Sequence, residues 1–489
     1  MANNEKTLIL VNPPQQGLLE GFSNGLYAIK SYLYKYLPSL NVQMLDLGAV
    51  FTPDIEQVIK SNIIAPNKIL FVGITTTTAS YQNALATARL FKKLFPKCIT
   101  LLGGHHAANQ AELVLGHKEV DYVVVGEGEI ALTELIRSYP DITETIPNLC
   151  YKNNGTIISD PPKAPLLDQR VLEEIPFIFP ERNQSHTPGK FGYTTYVSSR
   201  GCTFNCGFCS VGNGGVRAKS VSKALSEITY MVRELGYHKI SIEDNFFNHS
   251  PERTLKLCDG LACLKNEVDF SWDCQTRLES LLDNNVIASM DNAGCDGVYV
   301  GVEALHESLL FFLGKTAHPQ EYLNNLTEFV IPNLLCTHIR PYINLQFGIP
   351  NETESEVEES ICLLKHLGSM AAAAGKVITI YPQLYVLYPG TKHFKKAIEE
   401  NRYGNITSKL FESFTPWELD QKPVLNWLGE HFAHGAGGFP EGIICLDTLR
   451  ESGQFRIDIN SVLDIMRYLE RIEEIAGIKV FKYKQYLTV

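Results

Sequence analysis

Three cysteines in one short segment have the spacing needed to hold an iron–sulfur cluster. Cys202, Cys206 and Cys209 follow the pattern C-x3-C-x2-C, in a stretch that also contains Gly201 and Gly207. Three thiolates on one loop can each bind one iron of a cube-shaped [4Fe–4S] cluster, which leaves the fourth iron without a protein ligand. The spacing therefore predicts a cluster whose free iron is open to a small molecule.

Other interpretations of this triad are less consistent with the sequence. A structural zinc ion needs four ligands, usually in two spaced pairs, and no fourth Cys or His lies nearby in the sequence. A disulfide with one free thiol requires an oxidising compartment. A chance group of buried cysteines does not explain the regular spacing. The other nine cysteines are interpreted as core residues: Cys98, Cys150, Cys258, Cys263, Cys274, Cys295, Cys336, Cys362 and Cys445.

The segment around the triad predicts a partial barrel. Residues 191–398 alternate short apolar runs with amphipathic helical runs, which is typical of parallel strands covered by helices. The predicted strands are Tyr193–Ser198, Lys239–Glu243, Phe270–Cys274, Gly297–Gly301, Tyr342–Gly348 and Val377–Leu387. Helices are predicted near residues 221–236, 251–265, 279–293, 320–330 and 354–367. These units predict a partial (β/α)6 barrel, in which functional side chains gather at the carboxyl ends of the strands.

Residues 1–145 predict a further α/β domain with a Rossmann-like parallel sheet. The predicted strands are Thr7–Val11, Val42–Leu47, Ile69–Ile74, Ile99–Leu102 and Tyr122–Val125, with helices near residues 25–36, 80–95 and 129–138. Four strands end in loops of small and polar residues, at the edge where such folds bind ligands. The loops are residues 12–17, 75–78, 103–106 and 126–129. Tight turns alone would use similar residues, but four equivalent loops favour a ligand.

Two further regions complete the predicted organisation. Asn154-Gly155 lies between two apolar runs and predicts a hairpin, so residues 146–190 are interpreted as a hairpin followed by a linker. Residues 399–489 are interpreted as a small, mainly helical C-terminal region associated with the substrate, with a last helix at 459–476.

Composition limits the classes of partner. The 489 residues include 43 Lys and Arg against 54 Asp and Glu, a formal net charge of −11, which argues against broad contact with nucleic acid. No stretch approaches the ~20 apolar residues of a membrane span, and no signal peptide is recognisable. We therefore expect a cytoplasmic protein with reduced cysteines and without a membrane span.

The triad loop resembles the C-x3-C-x-Φ-C loop of radical S-adenosylmethionine (SAM) enzymes, and later segments follow in that family's order. Gly301-Val302-Glu303 resembles the fourth-strand Gly-x-Glu, and Tyr388-Pro389-Gly390-Thr391 resembles the closing Tyr-Pro-Gly-Thr. Residues 347–353 resemble the Gly-Leu-Pro-Gly-Glu-Thr segment, with Asn351 replacing the usual glycine. The resemblance implies that SAM binds the open iron. The implied SAM contacts are Phe208, Glu243, Asp244, Arg277, Glu303, Gln346 and Gly348.

Two of these residues also have plain structural explanations. Glu303 could be salt-bridged to Arg277, and Glu243 could cap the helix that follows it, because carboxylates favour helix starts. We expect the SAM-binding role because the residues share the family's order behind the triad.

Residues 7–140 resemble the cobalamin-binding domain that precedes the barrel in one large radical SAM subclass. The implied cobalamin contacts are Asn12, Pro13, Pro14, Gln15, Gln16, Thr75, Thr76, Thr77, Gly103, Gly104, His105, His106, Gly126, Glu127 and Gly128. Other cobalamin domains carry Asp-x-His-x-x-Gly after the first strand, and that histidine binds cobalt. Here the frame reads Asn12-x-Pro14-x-x-Gly17, so no histidine of this loop binds cobalt, as is usual in this subclass. A vestigial domain without its cofactor is the structural alternative.

Together the resemblances imply a cobalamin-dependent radical SAM enzyme of the class B methyltransferase type. Such an enzyme cleaves SAM reductively to a 5′-deoxyadenosyl radical and delivers a methyl group from cobalamin. We expect methylation of an unactivated carbon of a small-molecule or natural-product substrate, with an electron donor such as flavodoxin or ferredoxin. Two alternatives stay open: a cobalamin-binding radical SAM cyclase or rearrangement enzyme without methyl transfer, and a non-enzymatic corrinoid or iron–sulfur carrier.

Overall fold

A computed structural model describes most of the chain before residue 400. The described residues are 6–14, 23–47, 55–142 except 79, 144–179 except 154, 193–347 except 213, 349, 353–399 except 386 and 387, and 479–480. They divide into an N-terminal unit, residues 6–179, and a barrel unit, residues 193–399 with 479–480. None of the helices in these ranges combines the length and apolar character that a membrane span requires. The predicted contacts Gln15, Gln16 and Gly348, and the helix predicted at 459–476, lie outside the described residues.

The N-terminal unit is a seven-stranded sheet covered by helices. Its strands are β1 (Thr7–Asn12), β2 (Asn41–Asp46), β3 (Ile69–Thr75), β4 (Ile99–Gly103), β5 (Tyr122–Val124), β6 (Leu149–Asn153) and β7 (Thr156–Ile158). Its helices are α1 (Asn24–Tyr36), α2 (Ile55–Asn62), α3 (Tyr81–Leu94), α4 (His105–Asn109), α5 (Ala111–Gly116), α6 (Gly128–Ser138) and α7 (Gln169–Glu174). The five predicted strands, the three predicted helices and the hairpin β6–β7 are present, whereas α2, α4, α5 and α7 were not predicted.

Strand order brings the predicted loops to one edge of this sheet. The order is β2-β1-β3-β4-β5-β6-β7, and the first five strands are parallel. Every residue of β1 is buried, as expected for a central strand covered on both faces. The order reverses between β1 and β3, and such a switch point opens a crevice at the carboxyl ends of the strands. Leu26 and Leu33 of α1 and Leu132 of α6 belong to the core on one face.

The barrel unit is a second sheet of seven strands, all parallel, in the order β16-β15-β14-β13-β12-β11-β8. The strands of this unit are β8 (Tyr193–Tyr196), β9 (Ser199–Arg200), β10 (Arg217–Ala218), β11 (Lys239–Ile242), β12 (Ser271–Arg277), β13 (Cys295–Glu303), β14 (Arg340–Phe347), β15 (Thr379–Leu384) and β16 (Lys479–Val480). Its helices are α8 (Val221–Arg233), α9 (Pro251–Lys265), α10 (Asn284–Asn292), α11 (Glu307–Phe312), α12 (Pro319–Asn324), α13 (Ile331–Leu335), α14 (Glu354–Ala373) and α15 (Lys392–Glu399).

The six predicted barrel strands are confirmed, and β16 adds a short seventh strand beside β15. Residues 479–480 lie in the region that the sequence predicts to be mainly helical; a strand of two residues is too short to produce a recognisable period in the sequence. Helices α11 and α15 and the small antiparallel pair β9–β10 were also not predicted.

The interpretation of the nine remaining cysteines as core residues is partly wrong. Cys98, Cys150, Cys258, Cys274 and Cys295 are buried, but Cys263, Cys336 and Cys362 are exposed. Cys263 follows the buried Cys258 by five residues on α9, a spacing that places it on a different face of the helix. Cys445 lies outside the described residues.

Candidate functional site

The cysteine loop begins directly after β9, at the carboxyl end of the first barrel strand. Strand β9 pairs with β10, Arg200 with Arg217, so the two ends of the loop are tied together. Gly201 has a φ of 87°, and a Cβ atom there would overlap the carbonyl oxygen of Gly215. A residue with a side chain is therefore excluded at the position before Cys202.

The three cysteines differ in their surroundings. Cys206 is buried, whereas Cys202 and Cys209 are partly accessible. The backbone N–H of Val211 points at Cys209 Sγ at 3.5 Å. Burial raises the pKa of the Cys209 thiol, so binding of iron, which takes thiolates, has to displace its proton.

Cys206 Sγ accepts a hydrogen bond from a buried arginine. Nη1 of Arg277, the last residue of β12, lies 3.2 Å from the sulfur. Nη2 of the same guanidinium donates to Glu279 Oε1 at 2.7 Å and to the carbonyl oxygen of Lys315 at 2.6 Å. Burial alone lowers the pKa of Arg277, but the hydrogen bonds and charge of Glu279 outweigh it and hold that pKa above its ordinary value. The guanidinium is therefore charged at any working pH.

A histidine from α15 packs against the loop between Cys206 and Cys209. The backbone N–H of His393 donates to the carbonyl oxygen of Gly207 at 3.0 Å. Tyr385 Oη lies 2.6 Å from His393 Nδ1. A Cβ atom on Gly207 would lie 2.5 Å from Cδ2 of the imidazole and 2.7 Å from its Cε1. Only glycine leaves room for this imidazole against the loop.

The triad fits a cluster better than it fits a zinc ion. A structural zinc ion takes four protein ligands, whereas a cube-shaped cluster with one open iron takes three thiolates, each on a different iron. Three thiols on one loop are the donor set that the cluster needs.

Asp244 holds the segment that leads into the cysteine loop. Its carboxylate is fully buried and accepts four hydrogen bonds, from the backbone N–H and the hydroxyl of both Ser198 and Ser199, at 2.6–2.9 Å. Glu243, its neighbour, is exposed. The helix that follows is capped by Ser250, whose side chain accepts from the Arg253 N–H, so the helix-cap explanation of Glu243 is wrong.

Glu303 and Gln346 meet at the carboxyl edge of neighbouring strands. Gln346 Nε2 donates to Glu303 Oε2 at 2.8 Å, and Lys315 Nζ lies 3.3 Å from Glu303 Oε1. Glu303 has a φ of 74°, and the pairing of β13 with β14 shifts register between Gly301 and Glu303. A bulge with a strained backbone re-aims a side chain. The proposed salt bridge between Glu303 and Arg277 is wrong, because each residue has a different ionic partner.

Strain of this kind often marks functional positions. A Cβ atom on Gly301 would lie 2.7 Å from Glu303 Oε1 and 3.0 Å from Lys315 Nζ. The glycine of the Gly-x-Glu pattern thus leaves space for the buried ion pair between Glu303 and Lys315. Phe208 is partly buried in the cysteine loop.

In the N-terminal unit, two of the predicted loops are bonded to each other. The hydroxyl and the backbone N–H of Thr76 both donate to the carbonyl oxygen of Gly103 at 2.7 Å. Gly104 has a φ of 93°, and a Cβ atom there would lie 2.5 Å from the carbonyl oxygen of Thr76. The loop after β1 is fixed separately, because Asn12 donates to Asp46 at 2.9 Å and the Pro14 carbonyl accepts from Asn83 at 2.8 Å.

The two adjacent histidines have opposite environments. His105 is exposed, whereas His106 is 1% exposed, stacks on Tyr81 with ring centroids 4.3 Å apart and bonds Thr78 at 3.1 Å. Burial lowers the pKa of His106 to about 3, so this imidazole is neutral.

The remaining predicted loop precedes α6. Gly126 has a φ of 81°. Glu127 accepts a hydrogen bond from the Leu167 N–H at 3.2 Å, and its carbonyl oxygen accepts from Asn148 at 3.3 Å. A Cβ atom on Gly128 would lie 3.2 Å from Ile29 of α1, so this glycine allows close helix packing.

Sequence reasoning missed several residues that shape the site. Lys315 is 5% exposed and belongs to no motif. Ser198 and Ser199 are ordinary in sequence, and His393 lies far from the triad along the chain. The sequence signals that could have pointed to them are two glycines: Gly207, which lies against His393, and Gly301, which lies against Lys315.

Two family models match the chain. The B12 binding domain matches residues 20–136, and the Radical SAM superfamily matches residues 196–364. Together they cover more than half of the 489 residues. The first model spans strands β2 to β5 of the N-terminal unit, and the second spans strands β9 to β14 of the barrel unit.

Relatives and solved structures agree with these matches. The chain is 29% identical to an uncharacterized methyltransferase of Pyrococcus horikoshii, over 71% of this chain and 73% of that protein. It is 23% identical to the anaerobic magnesium-protoporphyrin IX monomethyl ester cyclase of Rubrivivax gelatinosus, over 59% of this chain but only 53% of the cyclase. The fold is similar to that of the radical SAM methyltransferase TsrM of Kitasatospora setae, with a TM-score of 0.66, 16% identity and coverage of 82% and 77%.

Proposed function

Because the chain belongs to the radical SAM superfamily and carries a B12 binding domain, we propose that it is a cobalamin-dependent methyltransferase acting on an unactivated carbon of a small-molecule or natural-product substrate. It is a radical SAM enzyme, and its cofactors are a [4Fe–4S] cluster, SAM and cobalamin. The observation that carries the proposal is the three-cysteine loop at the carboxyl edge of the barrel, in a chain that also has a B12-type sheet. The methyltransferase name of the Pyrococcus relative supports the choice of reaction.

When bound, the cluster supplies the electron that cleaves SAM, and cobalamin supplies the methyl group. Cys202, Cys206 and Cys209 would hold the cluster through their thiolates. The proposed SAM contacts Phe208, Glu243, Glu303 and Gln346 lie in the loop or at the carboxyl ends of strands β11, β13 and β14. Gly348 is also proposed as a SAM contact and lies outside the described residues. No side chain is required as a strong base, because the substrate carbon would lose a hydrogen atom and not a proton.

The residues around Glu303 are proposed to keep a charged group ready for SAM. Lys315 and Gln346 fix both carboxylate oxygens of Glu303, so its orientation does not have to be selected when SAM binds. Such preorganisation lowers the cost of binding. Asp244 contributes by holding Ser198 and Ser199, which fixes the entry to the cysteine loop; direct contact of Asp244 with SAM stays a prediction.

The N-terminal unit is proposed to bind cobalamin at the crevice between β1 and β3. The residues proposed for this are Asn12, Pro13, Pro14, Gln15, Gln16, Thr75, Thr76, Thr77, Gly103, Gly104, His105, His106, Gly126, Glu127 and Gly128. Support comes from the strand order and from the bonds that join the loops of Thr76 and Gly103. We expect the buried His106 to act by holding its loop. A one-electron donor such as flavodoxin or ferredoxin and a cytoplasmic location belong to the same proposal.

The test is anaerobic reconstitution with iron, sulfide, SAM, reductant and cobalamin. We expect about four irons per chain and formation of 5′-deoxyadenosine. Cys206→Ala should abolish 5′-deoxyadenosine, and Cys263→Ala, which removes an exposed cysteine of α9, should leave it unchanged. Undiminished SAM cleavage by the Cys206 variant would contradict the cluster assignment.

A second candidate is a cyclisation or rearrangement without methyl transfer, which the similarity to the Rubrivivax cyclase supports. Isotopically labelled SAM distinguishes the two. A methyltransferase places the labelled methyl group in the product, and a cyclase does not. A protein that binds its cluster but never cleaves SAM would be a carrier.

A further inference from the structure

Arg277 has no freedom to swing away from the cysteine loop. Its side chain is almost completely buried, and all three of its nitrogens have partners. Both carboxylate oxygens of Glu279 accept from it, at 2.7 Å and 3.2 Å. The guanidinium carbon also lies 3.6 Å from the centre of the Phe204 ring. The remaining nitrogen, Nη1, is directed at Cys206 Sγ.

This contact distinguishes Cys206 from Cys209. The hydrogen bond to Cys209 Sγ comes from the neutral backbone N–H of Val211, at the longer distance of 3.5 Å. The bond to Cys206 Sγ comes from a cation at 3.2 Å, and hydrogen bonds from charged donors are about twice as strong as neutral ones. Buried surroundings strengthen the interaction further.

We propose that Arg277 is a positioning residue that sets the reduction potential of the cluster through Cys206, rather than a ligand of SAM. The inference rests on the proposed cluster at the triad. Hydrogen bonds to the sulfurs and nearby charge are the main means by which a protein tunes such a cluster. A reduced cluster carries one more electron than the oxidised one. The positive guanidinium therefore stabilises the reduced cluster more than the oxidised cluster, and the reduction potential of the cluster is higher than it would be without Arg277.

Glu279 sets the size of this effect. Its carboxylate fixes the guanidinium in place and also offsets part of its charge, because a bidentate pair has little net charge at a distance. The two residues should therefore act in opposite directions on the potential. Loss of the arginine lowers the potential, and loss of the carboxylate charge raises it.

The experiment is a redox titration of the reconstituted protein without SAM, followed by electron paramagnetic resonance. The variants are Arg277→Lys, Arg277→Gln and Glu279→Gln, each with its iron content measured. We expect the potential to fall in the order wild type, Arg277→Lys, Arg277→Gln, and to rise in Glu279→Gln. Arg253→Gln is the matched control, because Arg253 is a partly buried arginine of the same unit that bonds Ser198 and the Lys219 carbonyl but, in the described residues, no sulfur. The cluster of this variant should have the potential of the wild type.

A purely structural or SAM-binding role gives a different result. If Arg277→Lys and Arg277→Gln keep full iron and the wild-type potential, and only SAM affinity falls, the proposal is overturned. If Arg277→Gln does not retain iron, the potentials of Arg277→Lys and Glu279→Gln decide the question. Both variants keep a cation beside Cys206: the new lysine in the first and Arg277 itself in the second. Failure of the wild type itself to bind iron would refute the cluster, which is a separate outcome.

Discussion

Replacing Gly207 with alanine should displace His393 from the cysteine loop. The added Cβ would lie 2.5 Å from Cδ2 and 2.7 Å from Cε1 of the imidazole, about 1 Å inside the normal carbon–carbon contact of roughly 3.5 Å. The imidazole of His393 cannot retreat without breaking its bond to Tyr385. Overpacking of this kind costs about 1–3 kcal/mol, and each kcal/mol lowers the melting temperature of a domain of this size by about 2–4 °C.

The assay is the melting temperature of the iron-free protein together with iron content after reconstitution. Both should fall in Gly207→Ala. Because the clash is with one side chain, adding His393→Ala should relieve it, and the double variant should lose less than the sum of the two single losses, by about 0.5–3 kcal/mol. The single change His393→Ala has its own cost, since it removes one hydrogen-bond partner of the Tyr385 hydroxyl.

Two other glycines of the same loop provide controls. A Cβ atom on Gly214 meets nothing within 4 Å, so Gly214→Ala should be neutral. A Cβ atom on Gly212 would lie 2.6 Å from the carbonyl oxygen of Phe204. This clash is with backbone, and His393→Ala should not relieve it. The reasoning would be refuted if Gly207→Ala had the stability and iron content of the wild type. It would also be refuted if His393→Ala rescued Gly212→Ala as well as it rescues Gly207→Ala.

Two further predictions concern buried charge. Glu303→Gln should destabilise the protein by about 3–5 kcal/mol, because it leaves the buried Lys315 without its carboxylate; denaturation by urea measures this, and a loss close to zero would contradict the buried ion pair. The pKa of His106 is lowered by burial to about 3, below the ~6.5 of an unfolded chain. The unfolded state therefore binds more protons between these values, and stability should fall as the pH drops through this window. His106→Gln should remove up to about 1.4 kcal/mol per pH unit from that slope, as measured by urea denaturation at a series of pH values; an unchanged slope would assign the acid sensitivity to other groups.

The sequence alone determined the architecture and the chemistry of the loop. The alternation of apolar and amphipathic runs follows from local periods of two and 3.6 residues, so the strands β1 to β5, β8 and β11 to β15 could be located without a structure. The spacing of Cys202, Cys206 and Cys209 is also local. Because all three ligands lie within one loop, no information about the rest of the fold was needed to predict a cluster.

Only the tertiary structure decided which charged groups meet. The sequence offered Arg277 as the partner of Glu303, but the fold pairs Arg277 with Glu279 and Cys206, and Glu303 with Lys315. Residues 277 and 206 are 71 positions apart, and nothing in either segment specifies the other, because a side-chain contact depends on register, bulges and rotamers of several strands at once. Local pattern identifies what the triad can bind, whereas long-range packing sets the electrostatics in which it binds.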